Sequence, residues 1–167
     1  FLEKNYMLMS EKERNLFSQI NKNFAHILDL QSKFPLSFCH GDLKSPNIFY
    51  RNDEEPYFLD WQYIQLNKGV SDIVFLLVES IEYDEDIVSI VEKFYYKLNN
   101  QKRCNYSYRE YLNDFKLSLC IFPFFVCVWF NSEDSDKLID KTFPIRFMKN
   151  LIKYYHKYLD DDFICYL

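Results

Sequence analysis

Residues 37–50, SFCHGDLKSPNIFY, set His40, Asp42, Lys44 and Asn47 within eight positions between two apolar flanks. Half-buried strands alternate apolar and polar residues and do not gather polar groups this way, so the segment reads as a loop entered and left by strands. Asp60 follows eighteen residues after Asp42, in a second aromatic run, YFLDW. The turn formers RNDEEP lie between NIFY and YFLDW, a pattern that predicts a β-hairpin. A hairpin doubles back and would return Asp60 to the neighbourhood of Asn47. Three oxygen-bearing side chains would then converge, with the Lys44 ammonium projecting into the same space.

Oxygen donors suit a hard cation such as Mg²⁺, which takes one or two carboxylates and completes its shell with phosphate and water. A separate carboxylate can orient a hydroxyl nucleophile and accept its proton, and an ammonium can offset charge on a transferred phosphoryl group. Asp42 as base, Asn47 and Asp60 as metal ligands and Lys44 on phosphate form a coherent division of labour. Each residue also has a plainer role open to it. Asp42 beside Gly41 could be an Asx-type turn residue, and Asn47 and Asp60 turn and strand-end residues. Lys44 reads equally as a solvated surface lysine. His40 could ligate zinc, but His26 and His156 form no ligand spacing with it and read as helix residues.

HGDLKSPNIF followed by FLDW resembles the catalytic and metal-binding loops of the aminoglycoside phosphotransferase and choline kinase superfamily. The pattern there is H-G-D-x-x-x-x-N, a hairpin, then Asp and an aromatic. Gly41 stands where protein kinases carry arginine, and Trp61–Gln62 follow Asp60 where protein kinases have Phe-Gly. Both differences point to the small-molecule branch. Downstream, NKGVSDIVFLL also resembles this branch, and DWQ with GVSD is closest to phosphotransferases of small hydroxylated substrates, including the ecdysteroid-kinase-like group. The likeness is strong over residues 37–80. It implies a protein-kinase-like fold, ATP and Mg²⁺ as cofactors, Asp42 and Lys44 as catalytic residues, and Asn47 and Asp60 as metal ligands. It also implies structural support of the loop by His40 and by Asp72, which can serve the helix dipole as well.

These residues need elements to hold them. Residues 11–30 carry Leu16, Ile20, Phe24, Ile27 and Leu28 at helical spacing, with Ser10 as N-cap. LSFC reads as a short strand entering the loop. Helices are expected from Ser71, from Asp84 or Asp86 to about Asn99, from Ser107, and over 136–160 with a break near Pro144. LSLCIFPFFVCVWF, 117–130, is shorter than the ~20 residues of a membrane span and reads as a core helix kinked or broken at Pro123. The acidic 160–162 stretch reads as a solvated end. The expected fold is mainly α with a small β-hairpin, one domain over 1–167, with the catalytic loop and metal-binding hairpin at 37–62.

Composition narrows the partners. The 167 residues are 49% apolar, enough for one core. A net charge of −5 speaks against a nucleic-acid surface. Only Gly41 and Gly69 are glycine, so each is expected where backbone freedom matters, and a Gly-rich phosphate cradle is excluded. The five cysteines form no CxxC, and Cys120 and Cys127 would lie about 10 Å apart along one helix, too far to bridge. Buried structural thiols in a reduced cytoplasmic protein are expected, with no signal peptide at the N-terminus and no membrane partner.

In complete members of the superfamily a smaller lobe covers ATP with a glycine-rich loop and a strand lysine. Only 39 residues precede His40, and they read as a helix. The chain is therefore expected to be the C-terminal lobe alone, as a piece of a longer kinase or as a truncated protein. The function expected is ATP- and Mg²⁺-dependent phosphoryl transfer to a small-molecule hydroxyl, with the acceptor unspecified. The alternative is a non-catalytic kinase-like binding module. A metal-dependent phosphohydrolase is weaker, because the three histidines are dispersed.

Overall fold

The computed structural model describes residues 2–52, 54–84, 86–100, 106–132 and 142–166. The first half runs α1 (Leu2–Asn5), α2 (Glu11–Lys22), α3 (Phe24–Gln31), β1 (Ser37–Cys39), β2 (Ile48–Arg51), β3 (Glu55–Phe58) and β4 (Gln65–Asn67). The second runs α4 (Val70–Ser80), α5 (Ile87–Asn100), α6 (Tyr108–Leu119), α7 (Phe122–Ser132), α8 (Phe143–Tyr158) and α9 (Asp161–Tyr166). Among the described residues the chain is mostly helical, with two small antiparallel sheets, β1–β4 and β2–β3.

Ser10 starts α2 through a capping box. Its hydroxyl accepts from Glu13 N at 3.3 Å, and Glu13 Oε2 accepts from Ser10 N at 2.6 Å. The single helix expected over 11–30 is broken at Asn23, whose side chain and backbone N–H both donate to Gln19 O. Asparagine competes for nearby backbone in this way, and apolar periodicity does not register it. Phe17, Ile20 and Ile27 still face the core, while Leu28 is exposed.

β2 and β3 form the expected hairpin, with Ile48 opposite Phe58 and Arg51 opposite Glu55. The partner of β1 is β4, Ser37 pairing with Asn67 and Cys39 with Gln65. Gln65–Asn67 is too short and too polar to read as a strand from periodicity. Gly69 also differs from expectation. Its φ of −56° is right-handed, and an added Cβ would meet Ser37 Cβ at an ordinary 3.5 Å.

α4 is the hub, packing against α6, α7 and α8. Val74, Leu77 and Val78 on α4, Tyr111, Phe115 and Leu119 on α6, and Met148, Leu151, Tyr154 and Tyr155 on α8 are all buried. Each such side chain contributes roughly 1.5–3 kcal/mol by leaving water. Ser107 caps α6 through a second capping box with Glu110. The apolar run breaks at Cys120–Ile121, and Pro123 sits in the first turn of α7, where its missing N–H costs nothing. Residues Tyr108–Trp129 have the length and hydropathy of a membrane crossing, and 56% of that window is buried inside the protein.

Pro144 sits in the first turn of α8, where the break was expected; residues 136–141 of the expected helix lie outside the described residues. The acidic end is also more ordered than expected. Asp160 accepts from Phe163 N at 2.8 Å, starting α9, and pairs with Lys116 at 2.8 Å. Lys116 and the Phe163 amide hold its carboxyl below the usual range. Lys68 is buried and pairs with Asp114 at 3.2 Å, while Tyr106 donates to the other Asp114 oxygen at 2.5 Å. This satisfied pair ties the turn before α4 to α6. Cys39, Cys120 and Cys127 are buried as expected, Cys165 is exposed, and Cys104 lies outside the described residues.

Candidate active site

The loop after β1 contains no regular ladder, so its backbone groups need other partners. Asp72, in the first turn of α4, provides two. Its Oδ2 accepts from His40 N at 2.6 Å and its Oδ1 from Gly41 N at 2.8 Å. Gly41 has φ +82°, and a Cβ there would lie 2.1 Å from Tyr63 O. Only glycine fits both that conformation and that contact. Further along, Ser45 N donates to Ser80 Oγ at 2.7 Å, so the other end of α4 holds the loop as well.

His40 connects the loop to the hairpin. Its Nε2 lies 2.7 Å from Leu59 O, and its Nδ1 accepts from Asp42 N at 3.3 Å. A carbonyl only accepts, so Nε2 carries the proton. Leu59 N donates to Asn47 O at 2.9 Å, so the loop grips Leu59 from both sides. Asp60 is the next residue. It takes the left-handed conformation, φ 61° and ψ 61°, which Asp tolerates better than most residues. Trp61 stacks at a tilt on the His40 ring, centroids 4.7 Å apart.

Asp42 and Asn47 are both buried. Asn47 Nδ2 donates to Asp42 O at 2.9 Å and to Asp42 Oδ2 at 3.2 Å. Lys44 Nζ sits 2.8 Å from the same Oδ2. Asp42 Oδ1 and Asn47 Oδ1 make no hydrogen bond among the described residues. Asp60 is exposed and, among the described residues, accepts only from Gln62 Nε2, at 3.2 Å through Oδ2. The side-chain oxygens left for a ligand are thus Asp42 Oδ1, Asn47 Oδ1 and the Asp60 carboxylate. Asn47 and Asp60 supply hard oxygen donors of the kind a Mg²⁺ ion takes while keeping other positions for phosphate and water.

Asp42, Lys44, Asn47, His40 and Asp72 therefore lie in one hydrogen-bonded cluster, with Asp60 joined to it through Leu59. Sequence reasoning gave Ser45 and Ser80 no role in the site, and used Trp61 only as a mark of resemblance. Serine at a helix end carries no distinctive signal, and the Trp61–His40 contact depends on the hairpin's return path. Cys39 lies beside the cluster but outside its chemistry. Burial raises its thiol pKa, and it bonds Lys68 O at 3.3 Å.

No curated protein and no solved structure matches this chain. The family model described as ecdysteroid kinase-like does match, over residues 2–106, a span that contains the whole cluster and its hairpin. The chain belongs to the ecdysteroid kinase-like family, a kinase-like phosphotransferase family within the protein-kinase-like and choline kinase-like superfamily.

Proposed function

We propose that this chain is the catalytic-loop lobe of an ATP- and Mg²⁺-dependent phosphotransferase that acts on a hydroxyl of a small molecule. The observation that carries the reading is the Asp42 carboxylate. One oxygen is held by Lys44 and Asn47, and the other is left without a hydrogen bond among the described residues. An acceptor hydroxyl bonded to Asp42 Oδ1 would lose its proton there as its oxygen joins the γ-phosphorus and the bond to the β–γ bridging oxygen breaks. Lys44 balances negative charge beside that reaction. Asn47 and Asp60 would hold Mg²⁺, which supplies charge neutralisation on the nucleotide phosphates. His40 and Asp72 position the loop and touch no reactant.

Two features support the lobe assignment. The sequence has no glycine-rich loop with which to cover phosphates. Around the hairpin, Phe38, Phe49, Leu59, Trp61, Ile64 and Leu66 are all exposed, an apolar face of the kind a second lobe covers. The domain is single, and its free buried thiols suit the cytoplasm.

The test is Asp42→Asn in the polypeptide that also carries the nucleotide-covering lobe, assayed against a panel of alcohols, amino alcohols and aminoglycosides. Loss of the base should lower kcat by about 10²–10⁴. Near-normal turnover in that variant overturns the reading, and absence of any phosphoryl transfer by the wild type favours a kinase-like binding module. Asp60→Ala should abolish calorimetric binding of Mg²⁺–nucleotide, and unchanged binding removes Asp60 from the metal site.

A further inference from the structure

The candidate site holds two carboxylates, and each is kept by a partner of a different kind. Asp42 Oδ2 lies 2.8 Å from the Lys44 ammonium, a full positive charge. Asp60 Oδ2 accepts from Gln62 Nε2 at 3.2 Å, a neutral donor, and Asp60 pairs with no cation among the described residues. A carboxylate only accepts, so the amide nitrogen of Gln62, not its oxygen, faces Asp60. A divalent cation is repelled by Lys44 beside Asp42 and meets the undiminished charge of Asp60.

The backbone around Asp60 is fixed, whereas its side chain has a single restraint. His40 and Asn47 hold Leu59, the residue before it. Trp61 Nε1 donates to Phe58 O at 2.8 Å, and Ile64 N donates to Trp61 O at 3.2 Å, which closes the turn that contains Gln62. Asp60 itself is exposed, so packing does little to choose among its rotamers. Among the described residues, the Gln62 amide is the group that makes the choice. It occupies Oδ2 and leaves Oδ1 open. Restraining a ligating side chain beforehand removes its ordering cost from the binding step.

We propose that Gln62 is a positioning residue for the metal, its amide presenting the Asp60 carboxylate to Mg²⁺ without neutralising it. This role rests on the assignment of Asp60 as a metal ligand. A cation in the place of Gln62 would act on Asp60 as Lys44 acts on Asp42. Because Gln62 is exposed, exchanging it should change affinity for the metal and leave the stability of the fold alone.

The test is a titration of the chain with Mg²⁺ alone, followed in proton–nitrogen correlation spectra at the Trp61 amide and the Trp61 indole N–H. These signals report the Asp60 turn and not acidic surface elsewhere. Asp60→Asn removes the charge and tolerates the left-handed backbone, and it should weaken the saturable shift by about tenfold or more. Gln62→Leu removes the donor at similar size and should weaken it by about threefold, the size of ordering one exposed side chain. Gln62→Lys should weaken it by about tenfold through charge. Gln65→Leu, the same exchange on exposed β4, should leave it unchanged, and thermal melts of the Gln62 and Gln65 variants should coincide with that of the wild type. If Asp60→Asn loses affinity while Gln62→Leu or Gln62→Lys keeps it, or if Gln65→Leu loses as much as Gln62→Leu, the proposal is overturned and the metal site stands. If the wild type shows no saturable shift, or Asp60→Asn keeps it, the metal assignment of Asp60 falls and takes the proposal with it.

Discussion

Removing the Asp72 carboxylate should destabilise the protein far more than a first-turn helix charge would. Asp72 accepts from two consecutive amides, His40 N at 2.6 Å and Gly41 N at 2.8 Å, and His40 and Gly41 are buried. A hydrogen bond to a charged group contributes about 1.5–3 kcal/mol, and a buried donor left unpaired forfeits most of that. Asp72→Ala orphans both donors. Asp72 is itself only half-buried, so water can reach part of the space, and the expected loss is about 3 kcal/mol. Asp72→Asn keeps one carbonyl acceptor but turns an NH₂ toward the other donor, for an expected loss of about 2 kcal/mol. A charge acting only on the α4 dipole is worth about 0.3–1 kcal/mol, and Ala and Asn would then cost the same. Urea unfolding of the two variants separates these cases, and hydrogen exchange at the His40 and Gly41 amides locates the effect. If both variants unfold within about 0.5 kcal/mol of the wild type and the two amides keep their protection, Asp72 does not hold this loop.

Four further outcomes follow from the structure. Gly41→Ala should lower the urea midpoint sharply, by roughly 2 kcal/mol or more, because φ is +82° and the new methyl would overlap Tyr63 O. Gly69→Ala, right-handed and with ordinary clearance, should be neutral or stabilising by up to about 1 kcal/mol in the same assay. Ser107→Ala removes the hydroxyl that accepts from Glu110 N at 3.2 Å and should cost about 1 kcal/mol in thermal or urea unfolding. Among the cysteines of the described residues, native alkylation should modify exposed Cys165 first. Burial raises the thiol pKa of Cys39, Cys120 and Cys127, so they should react only on unfolding, as mass spectrometry of labelled peptides would show.

The cluster was largely legible in the sequence because its parts are local. Asp42, Lys44 and Asn47 lie within one short loop, and the hairpin that returns Asp60 announces itself by turn residues between aromatic runs. Helix starts were legible where a capping residue stands three positions before Glu, as at Ser10 and Ser107. What escaped depends on partners distant in sequence or on competing local bonds. β4 has no apolar alternation, and only its pairing with β1 makes it a strand. Asn23 ends α2 by bonding backwards to Gln19, which the apolar repeat does not encode. Lys68 in the polar turn NKG looks solvated, yet it is buried because Asp114, 46 residues later, meets it.

The order of the candidate site follows from the problem of burying an irregular loop. A loop without a ladder must find partners for its amides, and side chains from a rigid element are the available ones. α4 is that element, because its other faces are locked into the core by Val74, Leu77 and Val78. Asp72 and Ser80 are eight residues apart, about 12 Å along the helix. The loop between their contacts, Gly41 to Ser45, can span that distance only when fairly extended. His40 and Asn47 then extend the restraint to Leu59. Within the loop after β1 and the Leu59–Asp60 turn, most hydrogen-bonding capacity goes into fixing the loop to its scaffold. Asp42 Oδ1, Asn47 Oδ1 and the Asp60 carboxylate are left over, and being left over is what allows them to meet a ligand. A substitution that loosens Asp72 or Ser80 should therefore disturb the geometry of those oxygens without touching any of them.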